Sequence, residues 1–502
     1  MIKFIKKILN LSEVFSVLNE SFRGFRGKIA VLAVLGFVGG ILDSIGINVL
    51  IPVFSFFTKS NMPSGDFISR NITKFLDYLP FQHNLIFLMS LAICLFLFRA
   101  FILVIFSYIS YTTIIDFKNR SVKDLLKLVF MAKWPFLSRQ KLGYVQATIF
   151  RDMQVTADAM VFLNRFIIGA TGFLVYLVFA ISISWGITTL TIFVGATAVL
   201  LLFPFVKKNR IITDKMMAIE KLISGYLIES ISGVRYIKSL GVEDEVVGRG
   251  EVFYNNMKSL HMKVVVFRSI VSNFMQPMAL VFISALFYFY SKQQGFNLPA
   301  FIVTVYFIQK IFTYLENTQS AFHSVSEQVP FLKNILSFKS ELEKNKEDAG
   351  GGIPLEFNRE LHLKDISFAH NDGIPTLANV DIKIRKGEMV GIIGPSGAGK
   401  SSIADMLLRF LQPNHGGILV DDINIKYIDI GAWRSNVGYV SQDVFLMNDT
   451  IENNIRFYDD SITGEDIERG IKLANANEFI EKQKDGLLSV VGERGVMLSG
   501  GQ

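Results

Sequence analysis

The chain has 502 residues, 51% of them hydrophobic, with 46 Phe and a mean hydropathy of +0.39, which excludes a single soluble globule. Its net charge of +7 could suit nucleic acid, but the Lys and Arg are scattered through loops between apolar runs. That distribution points to a cytoplasmic membrane face near anionic lipid and to no nucleic-acid partner.

Before about Lys28, the residues Lys3, Lys6, Lys7, Arg23 and Arg26 sit among apolar neighbours. They predict an amphipathic helix lying along the cytoplasmic interface. The start, Met1-Ile2-Lys3-Phe4-Ile5-Lys6-Lys7, lacks a long apolar core or cleavage site, so no removable signal peptide is expected. Six spanning runs follow, at about 29–57, 84–115, 162–184, 185–206, 270–290 and 298–314. Each is long enough to cross ~30 Å of hydrocarbon at 1.5 Å per residue. Asp43, Asn48 and Pro52 interrupt the first run, and the third and fourth form a hairpin with almost no loop. Cys94, the single cysteine, lies in the second run and excludes an intrachain disulfide framework.

Orientation follows from loop charge. Lys118, Arg120, Lys123, Lys127, Lys133, Arg139, Lys141 and Arg151 separate the second and third runs, and Lys207, Lys208, Arg210, Lys215, Lys221, Arg235, Lys238 and Lys258 the fourth and fifth. The opposite loops hold only Lys59, Arg70 and Lys74, and Lys292. Both termini and both long basic loops are therefore expected in the cytoplasm, with the loops continuing the membrane helices outward. Helical patterning runs on to Phe338, and a charged stretch then ends in Gly350-Gly351-Gly352, the composition of a flexible linker. The expected division is a membrane domain over 1–338, a linker over 339–354 and a second domain over 355–502. In the second domain, Leu361–Phe368 and Val380–Ile384 alternate as strands.

Gly394-Pro395-Ser396-Gly397-Ala398-Gly399-Lys400-Ser401 fits G-x-x-x-x-G-K-[ST]. Upstream, residues 388–393 read as a short buried strand. Downstream, Ser402 to Phe410 carries apolar residues at helical spacing. Strand, glycine loop and helix form a phosphate cradle, with backbone N–H groups and a helix N-terminus facing phosphate oxygens. Lys400 is expected to reach the β- and γ-phosphates of a nucleotide, and the Ser401 hydroxyl to hold Mg²⁺.

Further motifs follow in a fixed order. They are Gly438-Tyr439-Val440-Ser441-Gln442-Asp443, Thr450-Ile451-Glu452-Asn453-Asn454-Ile455, Val491-Gly492-Glu493-Arg494-Gly495 and Leu498-Ser499-Gly500-Gly501-Gln502. With them the chain resembles an exporter-type ABC half-transporter, and the four stretches are similar to the Q-loop, the pattern that follows it, the X-loop and the signature. Residues 228–243 and 136–152 are similar to the family's second and first cytoplasmic loops, whose coupling helices dock on nucleotide-binding domains. The resemblance implies an all-α membrane domain of about six transmembrane helices with long cytoplasmic extensions, followed by an α/β P-loop nucleotide-binding domain. It implies ATP and Mg²⁺ as cofactors, held by Gly394 through Ser402 and Gln442, with Lys400 and Gln442 in the catalytic machinery. His370 stands where the family stacks an aromatic ring on adenine. Leu498, Ser499, Gly500, Gly501 and Gln502 are implied to meet ATP on the P-loop of a second half-transporter chain, in a homo- or heterodimer. The family's acidic Mg²⁺ strand, catalytic glutamate and switch histidine follow the signature. None occurs before Gln502, so a half-transporter truncated at the signature is expected and no Glu is named as general base.

Within the spans, Asp43, Arg99 and Lys310 are candidate cavity residues, with Arg165 and Arg268 nearer helix ends. Snorkelling or interhelical pairing is the competing reading. Taken functionally, Arg99 with Lys310 suits an anionic headgroup such as a pyrophosphate. Residues 43–52 also resemble the first helix of exporters handling lipid-linked sugars. The implied function is ATP-driven export or flipping of an amphipathic substrate, a lipid-linked oligosaccharide or glycolipid, in a bacterial inner membrane. Multidrug or peptide export is the alternative, and a non-hydrolytic ATP-binding membrane sensor is an alternative of another class.

Overall fold

The computed structural model describes residues 11–49, 85–292, 298–369, 375–442, 445–499 and 501–502. The chain divides into two compact units, Met1–Glu347 and Asp348–Gln502.

The first unit is helical. It comprises α1 (Leu11–Ser21), α2 (Arg26–Asn48), α3 (Leu85–Phe130), α4 (Leu142–Gln146), α5 (Met153–Ile183), α6 (Trp185–Ser232), α7 (Val234–Leu240), α8 (Glu243–Asn273), α9 (Met275–Tyr290) and α10 (Leu298–Lys344). Among the described residues, five helical stretches are long and apolar enough to cross a membrane. The chain is an integral membrane protein. The first expected span is helical as far as Asn48, and its continuation with Pro52 lies outside the described residues. The long basic loops do continue the membrane helices: α3 runs 46 residues and α6 runs 48.

Three expectations for the helical unit need correction. Lys3, Lys6 and Lys7 of the expected interfacial helix lie outside the described residues, and α1 turns part of its apolar face to protein. Val14, Leu18 and Phe22 are buried in a protein core with Phe117, Val329 and Phe338, and the Phe22 and Phe117 rings meet edge-on at 4.8 Å. The fifth run is broken at Phe274, between α8 and α9. Pro277 explains the break, since it lacks an N–H and its ring clashes with the carbonyl four residues back, that of Asn273. The charged part of the expected linker is helical, because α10 continues to Lys344.

Small residues bring α5 and α10 together. A Cβ on Gly172 would sit 2.3 Å from Tyr314 Cε1, and one on Gly169 would sit 2.6 Å from Thr318 Oγ1. Close backbone approach of this kind is how helices pack where lipid removes the hydrophobic drive. The α5–α6 hairpin turns on Ser184 alone, whose side chain accepts from the Ile187 amide. Between α4 and α5, residues Ala147–Asp152 form a π-helical turn.

The second unit is built on an antiparallel sheet, in the order β2 (Pro375–Arg385), β1 (Glu360–Ala369), β3 (His415–Val420), β4 (Ile423–Asn424). A register shift between Leu363 and Ile366 turns both to the buried face, against Ile403, Met406 and Trp433. The helix α11 (Lys400–Leu407) supplies the first two, and the Trp433 indole donates to the Leu407 carbonyl at 2.7 Å. The run 388–393, expected as a buried strand, has no ladder partner among the described residues, and Met389 and Ile393 are 97% and 98% exposed. Its apolar residues read as a core strand, but no described strand pairs with it.

The glycine triplet is also not a free tether. The amide of Gly351 donates to the Lys426 carbonyl, and that of Ile353 to the Tyr427 carbonyl. Cβ atoms on Gly350 and Gly351 would each lie 2.3 Å from a backbone oxygen, those of Ile428 and Tyr427. The glycines permit close docking of the segment on its own unit.

Candidate functional site

The loop 394–401 leads directly into α11, with Gly399 as N-cap in the left-handed region at φ 84°. Gly397 is left-handed too, at φ 83°. These conformations favour glycine and let the intervening amides turn inward. The Lys400 ammonium donates to the carbonyls of Gly394 and Pro395, at 2.8 Å each. The lysine is thus curled over its own loop, and among the described residues its hydrogen bonds go to carbonyl dipoles. A cradle of amides at a helix N-terminus, the Lys400 ammonium and the adjacent hydroxyls of Ser401 and Ser402 fit a nucleotide phosphate and its metal.

Gln442 is exposed, next to exposed Val440, while Asp443 and Val444 lie outside the described residues. Just after it, Thr450 caps the helix Ile451–Arg456 by accepting from the Asn453 amide at 3.1 Å. The Asn454 side chain accepts from the Met447 amide at 2.8 Å and pins the preceding loop. The X-loop strand is tied to the same place: the Val491 amide donates to the Asp449 carbonyl, and the Ile451 amide to the Ser489 carbonyl, both at 3.0 Å. Leu498 and Ser499 precede a terminal turn in which the Ser499 amide meets the Gln502 side chain at 2.9 Å. Gly501 and Gln502 are exposed, and Gly500 and His370 lie outside the described residues. Among the described residues no hydrogen bond joins the signature to the P-loop.

The three candidate cavity residues come together. Asp43 on α2 is 1% exposed, and its Oδ1 meets Arg99 Nη1 of α3 at 3.0 Å. Lys310 Nζ of α10 lies 3.6 Å from Asp43 Oδ2. Sequence reasoning missed two further members, Tyr176 on α5 and Tyr314 on α10, whose hydroxyls donate to Oδ2 at 2.9 and 3.3 Å. Lys310 also lies 5.4 Å from the Tyr306 ring centroid. Two cations therefore share one carboxylate that also accepts from two phenols. The buried Arg99 Nε has no acceptor among the described residues. Arg165 is not in this cluster but over the Phe162 ring, at 5.7 Å.

A second buried polar group, unread in the sequence, sits on α10 nine residues or more beyond Tyr314, past the end of the sixth run. The Asn209 side-chain amide reaches His323 Nε2 at 3.1 Å and Glu327 Oε1 at 2.9 Å, and His323 Nδ1 lies 3.3 Å from Glu327 Oε1. Arg268, from α8, donates to Ser324 at 3.2 Å. Burial holds the His323 imidazole down at about 4, helped by the Arg268 charge. Burial pushes the Glu327 carboxyl up to about 7, against the pull of Arg268 and the Asn209 hydrogen bond. The two groups stand at i and i+4, a spacing the sequence displayed but did not distinguish from an ordinary helix face.

Comparison with known proteins places these sites in a family. Residues 29–316 match the ABC transporter transmembrane region, and residues 377–502 match the ABC transporter family, whose P-loop domain binds ATP. The chain is 30% identical over 383 residues to the "ATP-dependent lipid A-core flippase" of Vibrio vulnificus (strain YJ016), covering 73% of this chain and 64% of that one. It is 25% identical over 448 residues to the protein of the same name from Syntrophus aciditrophicus (strain SB), covering 87% and 71%. In fold it is similar to a bacterial Atm1-family ABC exporter solved with ATP bound, with a TM-score of 0.74 at 19% identity, over 97% of this chain and 82% of that one. The match to the first Vibrio vulnificus relative thus spans less than two thirds of that protein's length. The transmembrane match alone takes in more than half of the residues, and the chain belongs to the ABC transporter family.

Proposed function

We propose that the full-length protein is an ATP-driven exporter or flippase of an anionic amphiphile, acting as a dimer of half-transporters in a bacterial inner membrane. The observation that carries this reading is the cluster of Arg99 and Lys310 around the single carboxylate of Asp43, with Arg99 Nε lacking an acceptor among the described residues. Among the described residues this cluster has one positive charge in excess, inside a membrane domain where unpaired charge is costly and tends to line a substrate path. A phosphate or pyrophosphate headgroup would supply the missing charge and acceptor. The names of the flippase relatives support a lipid cargo; a lipid-linked oligosaccharide or similar glycolipid fits the same chemistry.

In this reading the membrane domain occupies about 1–338, the connecting segment 339–354, and the cytoplasmic nucleotide-binding domain starts at 355. Lys400 exchanges its contacts to the Gly394 and Pro395 carbonyls for phosphate oxygens, while Ser401 and Gln442 hold Mg²⁺. By its place in the sequence His370 is assigned to the base, and the signature residues complete the site of a second half-transporter. Mg²⁺-ATP, when bound, supplies the free energy of phosphoryl transfer. Closure of the two nucleotide domains is the two-state element, and the long helical extensions carry it to the membrane.

The test is ATP turnover by the full-length gene product in nanodiscs, across polyprenyl-pyrophosphate sugars, neutral glycolipids and cationic drugs, with Lys400→Ala as control. Basal turnover should fall to background in Lys400→Ala, and the anionic lipid should change turnover selectively. Arg99→Gln or Lys310→Gln should weaken that response by roughly tenfold, as loss of a charge-assisted contact predicts. Stimulation by drugs alone would move the substrate to another class, and nucleotide binding without turnover would refute transport.

A further inference from the structure

A second cleft, of about 480 Å³, lies in the cytoplasmic extension of the helical unit, among α4, α6, α8 and α10. It does not include the Asp43 cluster. Lys221 of α6 forms part of its wall, with Nζ 4.4 Å from the Tyr144 ring centroid and 2.9 Å from Asn334 Oδ1. Asn334 is itself fixed, donating to the buried Asp152 carboxylate at 2.6 Å. Asp152 ends the π-helical turn Ala147–Asp152, a local distortion that recurs at functional sites. The Tyr144 ring is held edge-on against Phe338, 5.6 Å away. The lysine and its aromatic support are thus built into the packing, unlike a surface side chain free to wander.

Two more cations border the cleft, Arg139 and Lys141, both exposed and neither paired with a carboxylate among the described residues. Glu229 and Glu341 also line the cleft, and Tyr226 with Phe253 supplies an aromatic wall, their rings 5.6 Å apart. The lining itself carries three cations and two carboxylates, with buried Asp152 behind Asn334 as a further carboxylate near Lys221, so the accessible positive charge is that of exposed Arg139 and Lys141, beside a half-buried surface suited to a flat ring. Lys221 stands 15 residues beyond the fourth spanning run, roughly 22 Å along a helix, which takes the cleft out of reach of bilayer headgroups.

From this arrangement we infer that the cleft binds a soluble phosphate-bearing molecule with a planar ring, its phosphate on Arg139, Lys141 and Lys221 and its ring against Tyr226 and Phe253. Such a ligand bridges α4, α6, α8 and α10, so its binding reports on the packing of the cytoplasmic extensions.

Pyridoxal 5′-phosphate is a direct probe, because it carries both groups and an aldehyde. The lysine nitrogen forms a C=N bond to the aldehyde carbon, the oxygen leaves as water, and borohydride reduces the product to a stable secondary amine. The full chain in nanodiscs is labelled briefly and mapped by peptide mass. Lys221 or Lys141 should label at least about tenfold faster than the exposed Lys472 and Lys484, an advantage equivalent to about 1.4 kcal/mol. Millimolar inorganic pyrophosphate should remove that excess, also in a Lys400→Ala background where the P-loop is disabled. Arg139→Gln should abolish the excess and Arg139→Lys should restore most of it. Uniform labelling, or an excess unaffected by Arg139→Gln or by pyrophosphate, would overturn the assignment.

Discussion

Asp43→Asn is the most informative single change in the membrane domain, because it removes charge and almost no volume. The carboxylate is the shared partner of Arg99 and Lys310 and accepts from Tyr176 and Tyr314. An amide oxygen can keep the two phenol bonds but cannot neutralise either cation. Removing one partner of a buried ion pair costs about 3–5 kcal/mol, mostly from the charge left behind. Both cations retain 28% side-chain exposure, so the lower end, about 3 kcal/mol, is expected. The assay is the thermal midpoint of the full chain in nanodiscs at one fixed scan rate, since unfolding of such a protein is kinetically controlled. Asp43→Asn should lower the midpoint by several degrees. Adding Lys310→Met in the same chain should recover part of the loss, because it deletes one stranded charge. Unchanged stability in Asp43→Asn, or strictly additive losses in the double variant, would refute the shared-counter-ion argument.

Three further outcomes follow from the geometry. Gly172→Ala places a methyl 2.3 Å from Tyr314 Cε1, so the ring must shift off Asp43; a loss of about 1–3 kcal/mol is expected in the same thermal assay, against no change in Gly186→Ala, where nothing lies within 4 Å. Gly351→Ala puts a Cβ 2.3 Å from the Tyr427 carbonyl, so the docked segment should lift and the Ile353 amide should lose hydrogen-exchange protection. The third concerns pH. Glu327 has its folded pKa raised from 4.5 to about 7, so the stability it contributes is fully present below 4.5 and is lost as pH rises through 7. His323, lowered from 6.5 to about 4, contributes stability present above 6.5 and lost as pH falls through 4. Glu327→Gln isolates the first effect, and its midpoint relative to the parent should rise between pH 5 and pH 8, by no more than about 3 kcal/mol in free energy. A gap that is flat across that range would remove Glu327 as the titrating group.

Local signals carried most of the architecture. Apolar runs at 1.5 Å per residue located the helices, because bilayer thickness acts on sequence directly. The P-loop was legible for the same reason, since left-handed Gly397 and Gly399 must be glycines whatever surrounds them. What escaped was set by partners distant in the chain. Nothing near Val14 or Phe22 announces that their cover is Phe117 and Phe338 rather than lipid, since both environments reward the same apolar face. Gly350 and Gly351 carry the composition of a tether, yet they are small because the Ile428 and Tyr427 carbonyls approach them. The Asp43 cluster shows both limits at once. Its ions were visible as misplaced charges in apolar runs, whereas Tyr176 and Tyr314 looked like ordinary aromatic lipid-facing residues until α5 and α10 brought their hydroxyls to one carboxylate. A charge in a membrane helix is thus a strong signal that a site exists, and a weak one for which neighbours complete it, because the completing groups need only a hydroxyl and a place in the packing.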